Sequence, residues 1–256
     1  MDYDRASLHY RALLSEYLQA TPADAVDQAV ARFVAPLRSA FVDERAGESV
    51  IEGMLWAAWE PVVLAARESS DSTQGRLVDL LTGVQGQGTL TRDQGRQACT
   101  VWGLTVFADL PCLGAQMREQ WDTGATEPEA WVNINAFAAR LTAAGIDFSL
   151  YAIWTLCERL EETPTPGSAD LRAAVPWFQH CGDLLVRLAL ERRSFDRGLG
   201  RLGKLCTDRG MTQGGFTVER WEFWRGRLSE LAAGTGPDAA AARVALRCLA
   251  TPGGIG

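Results

Sequence analysis

A hydrophobic period near 3.6 recurs from the N-terminus to Leu249, and no stretch sustains alternation at a period of two. Apolar residues three and four apart share one face of a helix, and that face must be covered by another element. A chain that offers helical faces and no strand faces packs helix on helix. The pattern therefore predicts an all-α fold: one orthogonally packed domain over 1–256, of about ten helices.

The first helix, Asp4 to Gln19, sets Leu8, Leu14 and Leu18 among tyrosines and stops before Thr21-Pro22. The second, Ala23 to Phe41, gathers Val26, Val30, Phe33, Val34 and Leu37, with a bend expected at Pro36. The third, Glu48 to Glu68, carries Met54, Leu55, Trp56 and Trp59, with a kink expected at Pro61. A short helix over 76–81 precedes the Gly-Gln repeats of 83–92, which read as a loop. Helices over 111–122, 128–144, 149–162, 169–193, 217–232 and 238–249 complete the set, with Thr217 and Asp238 as N-caps. The stiff polar run 163–168 is the one candidate boundary, and 198–215 is Gly-rich without a strong period. Apolar stripes on both sides of the connector favour a single domain.

Charge and cysteine usage narrow the function classes. A formal charge of -7 lacks the clustered positive charge that nucleic-acid or anionic-membrane binding needs, so neither is an expected partner. A local basic patch exists at Arg192, Arg193, Arg197, Arg201 and Lys204, the last being the sole lysine. Mean hydropathy is -0.07, no apolar run reaches the ~20 residues of a membrane span, and the acidic start lacks the pattern of a leader. The expected location is cytoplasmic. The six cysteines form no C-x-x-C pair, so no metal and no disulfide is expected, and no nucleotide or other cofactor motif is present.

The candidate site residues lie on three helices and around the nine tryptophans. Within 128–144, Trp131, Ile134, Ala138 and Leu141 form one stripe while Phe137 lies elsewhere with Asn133 and Arg140, so the helix is expected at the centre of the fold. A central helix must satisfy Asn133, Asn135 and Arg140, either by structural bonds or by lining a pocket. Asp109 and Glu158 are the expected partners of Arg140. Tyr151, Trp154, Glu158 and Glu161 share one side of the next helix, where Glu158 is a candidate acid or base and Trp154 is expected to pack on the connector. His180 is the other candidate base, by its intrinsic pKa. Trp56, Trp59, Trp221 and Trp224 fill the core or wall a pocket for a flat apolar ligand.

Several segments resemble a fungal family known as a domain of unknown function, number 3632. They are Ala108-Asp109-Leu110-Pro111 with Arg118-Glu119-Gln120-Trp121-Asp122, the run from Trp131 to Leu141, Ala152-Ile153-Trp154 with Leu160-Glu161, and the run from Gly215 to Trp224. The likeness extends from Trp56 onward. Ser72-Thr73-Gln74 stands where a His-Pro-containing turn is expected, and the Gly-rich segment lacks an expected Trp. The resemblance implies a fungal source and a helical domain, and it assigns no catalytic residue. Aromatic walls, buried amides and lone ionisable groups make a cofactor-independent cyclase, isomerase or lyase of secondary metabolism the expected function, acting on a small apolar or aromatic molecule. The alternative is a non-catalytic interaction or ligand-binding module. Convergence of at least two of Asn133, Asn135, Glu158 and His180 on one cavity beside a Trp favours the enzyme.

Overall fold

The computed structural model describes residues 3–20, 25–69, 71–124, 127–163 and 171–250. Among them the chain is all-α, with eleven α-helices and two minimal hairpins. Contacts group it into two compact units, 1–124 and 125–256. The division falls after Gly124, away from the 163–168 connector, whose residues 164–168 lie outside the described residues.

The first unit contains α1 (Tyr3–Gln19), α2 (Ala25–Val42), α3 (Glu48–Glu68), α4 (Asp71–Gln85) and α5 (Leu113–Gly124). Between α4 and α5, β1 (Thr91–Arg92) pairs antiparallel with β2 (Gln97–Ala98), and β3 (Thr100–Val101) with β4 (Leu104–Thr105). Helix α3 packs against α1, α2, α4 and α5. Among the described helices it alone is long and apolar enough to cross a bilayer, and its apolarity suits a central position here. Trp59 on α3 is fully buried, stacks on Phe33 at 5.1 Å and donates from Nε1 to the Pro111 carbonyl at 2.8 Å. Both prolines expected to bend helices, Pro36 and Pro61, sit inside continuous ones.

The expected loop over 83–92 starts too early. Helix α4 continues to Gln85, and a Cβ at Gly83 would lie 2.5 Å from Val30 Cγ2. Gly83 therefore serves close packing of α4 on α2, not a turn. Two-residue strands are too short to show alternation, so hydrophobic periodicity does not report the hairpins. Their local signals are the turn glycines Gly95 and Gly103, both at positive φ.

The second unit contains α6 (Pro128–Ala143), α7 (Ser149–Leu156), α8 (Val175–Leu190), α9 (Lys204–Asp208), α10 (Val218–Ala232) and α11 (Pro237–Ala250). A π-helical turn, Cys157–Glu161, extends α7, and a 3-10 turn, Leu171–Ala174, leads into α8. Helix α6 is central to this unit, packed on α7 and α8, with Trp131, Ile134, Phe137, Ala138 and Leu141 all buried. Pro128 opens it where a missing N–H costs nothing. Helix α11 meets α8 and α10, and its Ala239, Ala242 and Ala245 are buried. Thr217 caps α10 as expected, its hydroxyl accepting from the Arg220 N–H at 3.1 Å. Asp238 does not cap α11, which already begins at Pro237; its carboxylate accepts the Leu171 N–H at 3.2 Å.

Candidate functional site

The most heavily bonded polar centre among the described residues lies in the second unit, where the chain leaves α7. Residues 157–161 bond from i to i+5, which widens the turn and rotates each later side chain away from its α-helical direction. Glu161 is thereby carried into the interior, with its side chain fully buried, while Glu158 stays exposed. Opposite stands Arg220, in the first turn of α10 and equally buried. Its Nε donates to Glu161 Oε1 at 2.5 Å and its Nη2 to Oε2 at 3.1 Å. The same Oε1 accepts Trp224 Nε1 at 2.6 Å, and Oε2 accepts the Gly203 N–H at 2.7 Å. Four acceptor positions of the carboxylate are thus filled.

The remaining guanidinium donors reach the backbone. Nη1 donates to the carbonyls of Gly200 at 3.0 Å and Gly215 at 2.8 Å, and Nη2 to that of Arg201 at 2.9 Å. All five N–H donors of Arg220 are engaged. Desolvating two charges is costly, and only such complete bonding offsets it. Cys157 and Cys206 border the carboxylate; burial, reinforced by the Glu161 charge, pushes both thiols up to about 12. They are packing groups at neutral pH rather than nucleophiles.

This clamp explains the composition of 198–215. A Cβ at Gly203 would lie 2.6 Å from Glu161 Cβ, and one at Gly214 2.6 Å from the Gly200 carbonyl. Gly215 has φ +76°, and a Cβ there would meet the Arg193 carbonyl at 2.5 Å. The glycines allow backbone strands to close around one guanidinium. Trp154 adds a peg, donating from Nε1 to the Leu199 carbonyl at 2.9 Å. It packs on the Gly-rich segment; the connector over which it was expected lies largely outside the described residues.

Two open clefts flank residues 211–213 of this pinned segment. The larger, about 770 Å3, is lined among others by Phe195, Leu202, Met211, Arg201 and Ser194. The smaller, about 450 Å3, lies between Arg192, Arg209 and Glu219 at the start of α10. None of the residues expected to bind or transform a substrate lines either cleft.

Those residues are placed as follows. Trp56 and Trp59 belong to the first unit, where Trp56 is half-buried and edge-on to Trp102 at 6.2 Å. Asn135 is fully buried; its Oδ1 accepts from Thr155 Oγ1 at 2.6 Å and Trp177 Nε1 at 2.8 Å, and its Nδ2 donates to the Trp131 carbonyl at 2.9 Å. Trp131 is buried beneath the Arg159 guanidinium, 4.3 Å from its ring centre. Glu158 pairs with Arg159 at 2.7 Å, and Asp109 accepts the Thr105 N–H at 2.7 Å. Asn133, Arg140 and His180 are half-buried. Tyr151 is buried against Trp154 at 4.9 Å, and Trp221 against Trp224 at 6.5 Å. Neither of these two clefts includes Glu158 or His180; the structure instead brings together Glu161 and Arg220, and no periodicity in the sequence points to the latter. Its signal was an arginine inside the aromatic run Phe216 to Trp224, next to an unusual density of glycine.

Among the described residues no group of three or more His, Cys, Asp or Glu side chains is arranged to hold a metal ion. A search of the curated proteins finds no significant match, and a search of the solved structures finds none either. The family model described as Protein of unknown function (DUF3632) matches residues 59–228, a span that takes in the whole Gly-rich segment and α10 as far as Leu228, and the chain belongs to that family.

Proposed function

We propose that the chain is a non-catalytic ligand-binding module whose recognition surface is the Gly-rich segment of the second unit. The observation that carries this reading is the Glu161–Arg220 clamp: an entire buried carboxylate and guanidinium hold the backbone of 200, 201, 203 and 215 in place, and residues 200, 201 and 215 of that backbone line the larger cleft. A preorganised floor lowers the ordering cost of binding. Phe195, Leu202 and Met211 give the cleft an apolar character suited to a small apolar body. The cyclase, isomerase or lyase reading receives less support, since Asn135 is consumed by three internal bonds, Glu158 faces solvent beside Arg159, and neither cleft includes Asn133 or His180. A cytoplasmic setting remains part of the proposal and accords with the four buried free thiols Cys99, Cys112, Cys181 and Cys206.

The test is a fluorescence titration with the neutral apolar probe N-phenyl-1-naphthylamine. Wild type is expected to bind it saturably, and Ser194→Trp, which fills the larger cleft from an exposed position, is expected to weaken binding at least tenfold with its melting temperature unchanged. Absence of saturable binding, or identical binding by the variant, rejects the module at this surface.

A further inference from the structure

We infer that the smaller cleft is an oxyanion subsite, in which Arg192 and Arg209 take the carboxylate or phosphate group of a ligand whose apolar body lies in the larger cleft. This rests on the ligand-binding reading above and gives the ligand its chemical class, an amphipathic anion.

Both arginines line the cleft, and each is paired only through a long, exposed ion pair. The Arg209 guanidinium lies over the Phe223 ring at 4.5 Å, which fixes its plane, and its nearest carboxylate, Glu230, is 3.9 Å away. Arg192 lies 3.7 Å from Glu219 and 3.5 Å from Gln213 Oε1. Charge-assisted hydrogen bonds run at about 2.7–2.9 Å, so each fork keeps donors that an oxyanion can take. Arg220, in the first turn of α10, is the contrasting case with no donor to spare.

A second observation is independent of charge. Arg192 stands immediately after the C-cap of α8, with φ +53°, its N–H bonded to the Ala189 carbonyl and the Arg193 N–H to that of Leu188. That is the helix-ending motif whose left-handed position favours glycine, because any Cβ is strained there. The chain places glycine at several neighbouring positions, yet here it carries the longest cationic side chain at a conformational cost. Strain retained at a cleft wall points to use of the side chain. Glu219 completes the arrangement as an internal competitor, an exposed carboxylate that holds Arg192 loosely until a stronger anion displaces it.

The clefts share Met211, Thr212 and Gln213, so a single ligand can rest its apolar part against Phe195 and Met211 and extend its anionic end to Arg192 and Arg209. The probe that tests this is 1-anilinonaphthalene-8-sulfonate, the anionic relative of N-phenyl-1-naphthylamine. Arg209→Ala and Arg192→Gly are each expected to weaken its binding about tenfold or more, since a hydrogen bond to a charged group is lost. Binding of the neutral probe should not change. Arg192→Gly should raise the melting temperature by a few degrees at the same time, on the order expected for relieving one strained residue, whereas a merely structural arginine would lower it. Glu219→Gln should tighten the sulfonate by about twofold to fivefold through loss of a rim competitor. Displacement of the sulfonate by inorganic phosphate or by benzoate names the headgroup. Equal sulfonate binding in wild type, Arg192→Gly and Arg209→Ala, with the neutral probe still bound, overturns the subsite and leaves the module standing; failure of both probes on wild type overturns the module and the subsite together.

Discussion

Arg220 and Arg192 belong to the same unit and border the same Gly-rich segment, yet they treat their charge in opposite ways. Arg220 is sealed from solvent and gives every N–H to a fixed partner, whereas Arg192 is mostly exposed and lies beyond hydrogen-bond range of its nearest carboxylate. A buried charge is tolerable only when fully bonded, so it fixes whatever it bonds. A rim charge stays hydrated and contributes little to stability, and it remains available to a ligand. The two arginines divide the work: one shapes the cleft floor and the other faces what enters it.

The largest expected effect breaks the buried side. Arg220→Met leaves the Glu161 carboxylate desolvated and without its cation, which should cost about 3–5 kcal/mol in urea unfolding. Replacing both partners, Glu161→Leu with Arg220→Met, removes the orphaned charge, and for many buried pairs such a swap is neutral or stabilising. Here it should recover only part of the loss. The Gly200, Arg201 and Gly215 carbonyls, the Gly203 N–H and Trp224 Nε1 would each lose a partner. Full recovery by the double variant would mean that the pair does not hold the segment.

A smaller effect is expected at the second buried hub, which has no charge. Asn135→Leu deprives Trp177 Nε1 and Thr155 Oγ1 of their shared acceptor inside α6, α7 and α8. Two unsatisfied donors should cost about 2–4 kcal/mol. Because this hub does not touch the Gly-rich segment, N-phenyl-1-naphthylamine binding should survive under conditions where the variant is folded. Loss of binding in folded Asn135→Leu would show that the clefts depend on the whole unit and not on the clamp alone.

What the sequence made legible follows from which forces act locally. Helix α6 and its burial were readable because apolar residues on more than one face of a segment require neighbours all round. The cores around Trp59, Trp177 and Trp224 follow from the same hydrophobic logic. The Glu158 and Glu161 reading failed for a geometric reason: a wheel drawn at 100° per residue places them on one side, and the π turn at 157–161 separates them into one exposed and one buried acid. Arg220 was passed over because its role is defined by carbonyls from 200, 201 and 215, which no periodicity reports. The glycines at 203 and 214 looked like irregular loop and are instead sites of close approach to Glu161 and to the Gly200 carbonyl.

The smallest expected effect concerns the thiols that border the clamp. Burial, with the Glu161 charge adding to it, lifts Cys206 from the ordinary thiol value of 9.0 to about 12. The unfolded chain therefore releases this proton at lower pH than the folded chain does. Stability contributed by the neutral thiol is fully present below pH 9, where both states hold the proton, and is lost as pH rises toward the folded value of about 12. Urea unfolding of wild type at pH 8 and at pH 9.5 should thus show a decline, and Cys206→Ala should show a shallower one, by at most ~1 kcal/mol for a single thiol over that interval. Arg192→Gly serves as the control: it removes a rim cation without touching the thiol and should leave the slope as in wild type. Equal slopes in wild type and Cys206→Ala would mean that water reaches the thiol, and with it the carboxylate that the buried half of this comparison requires to be dry.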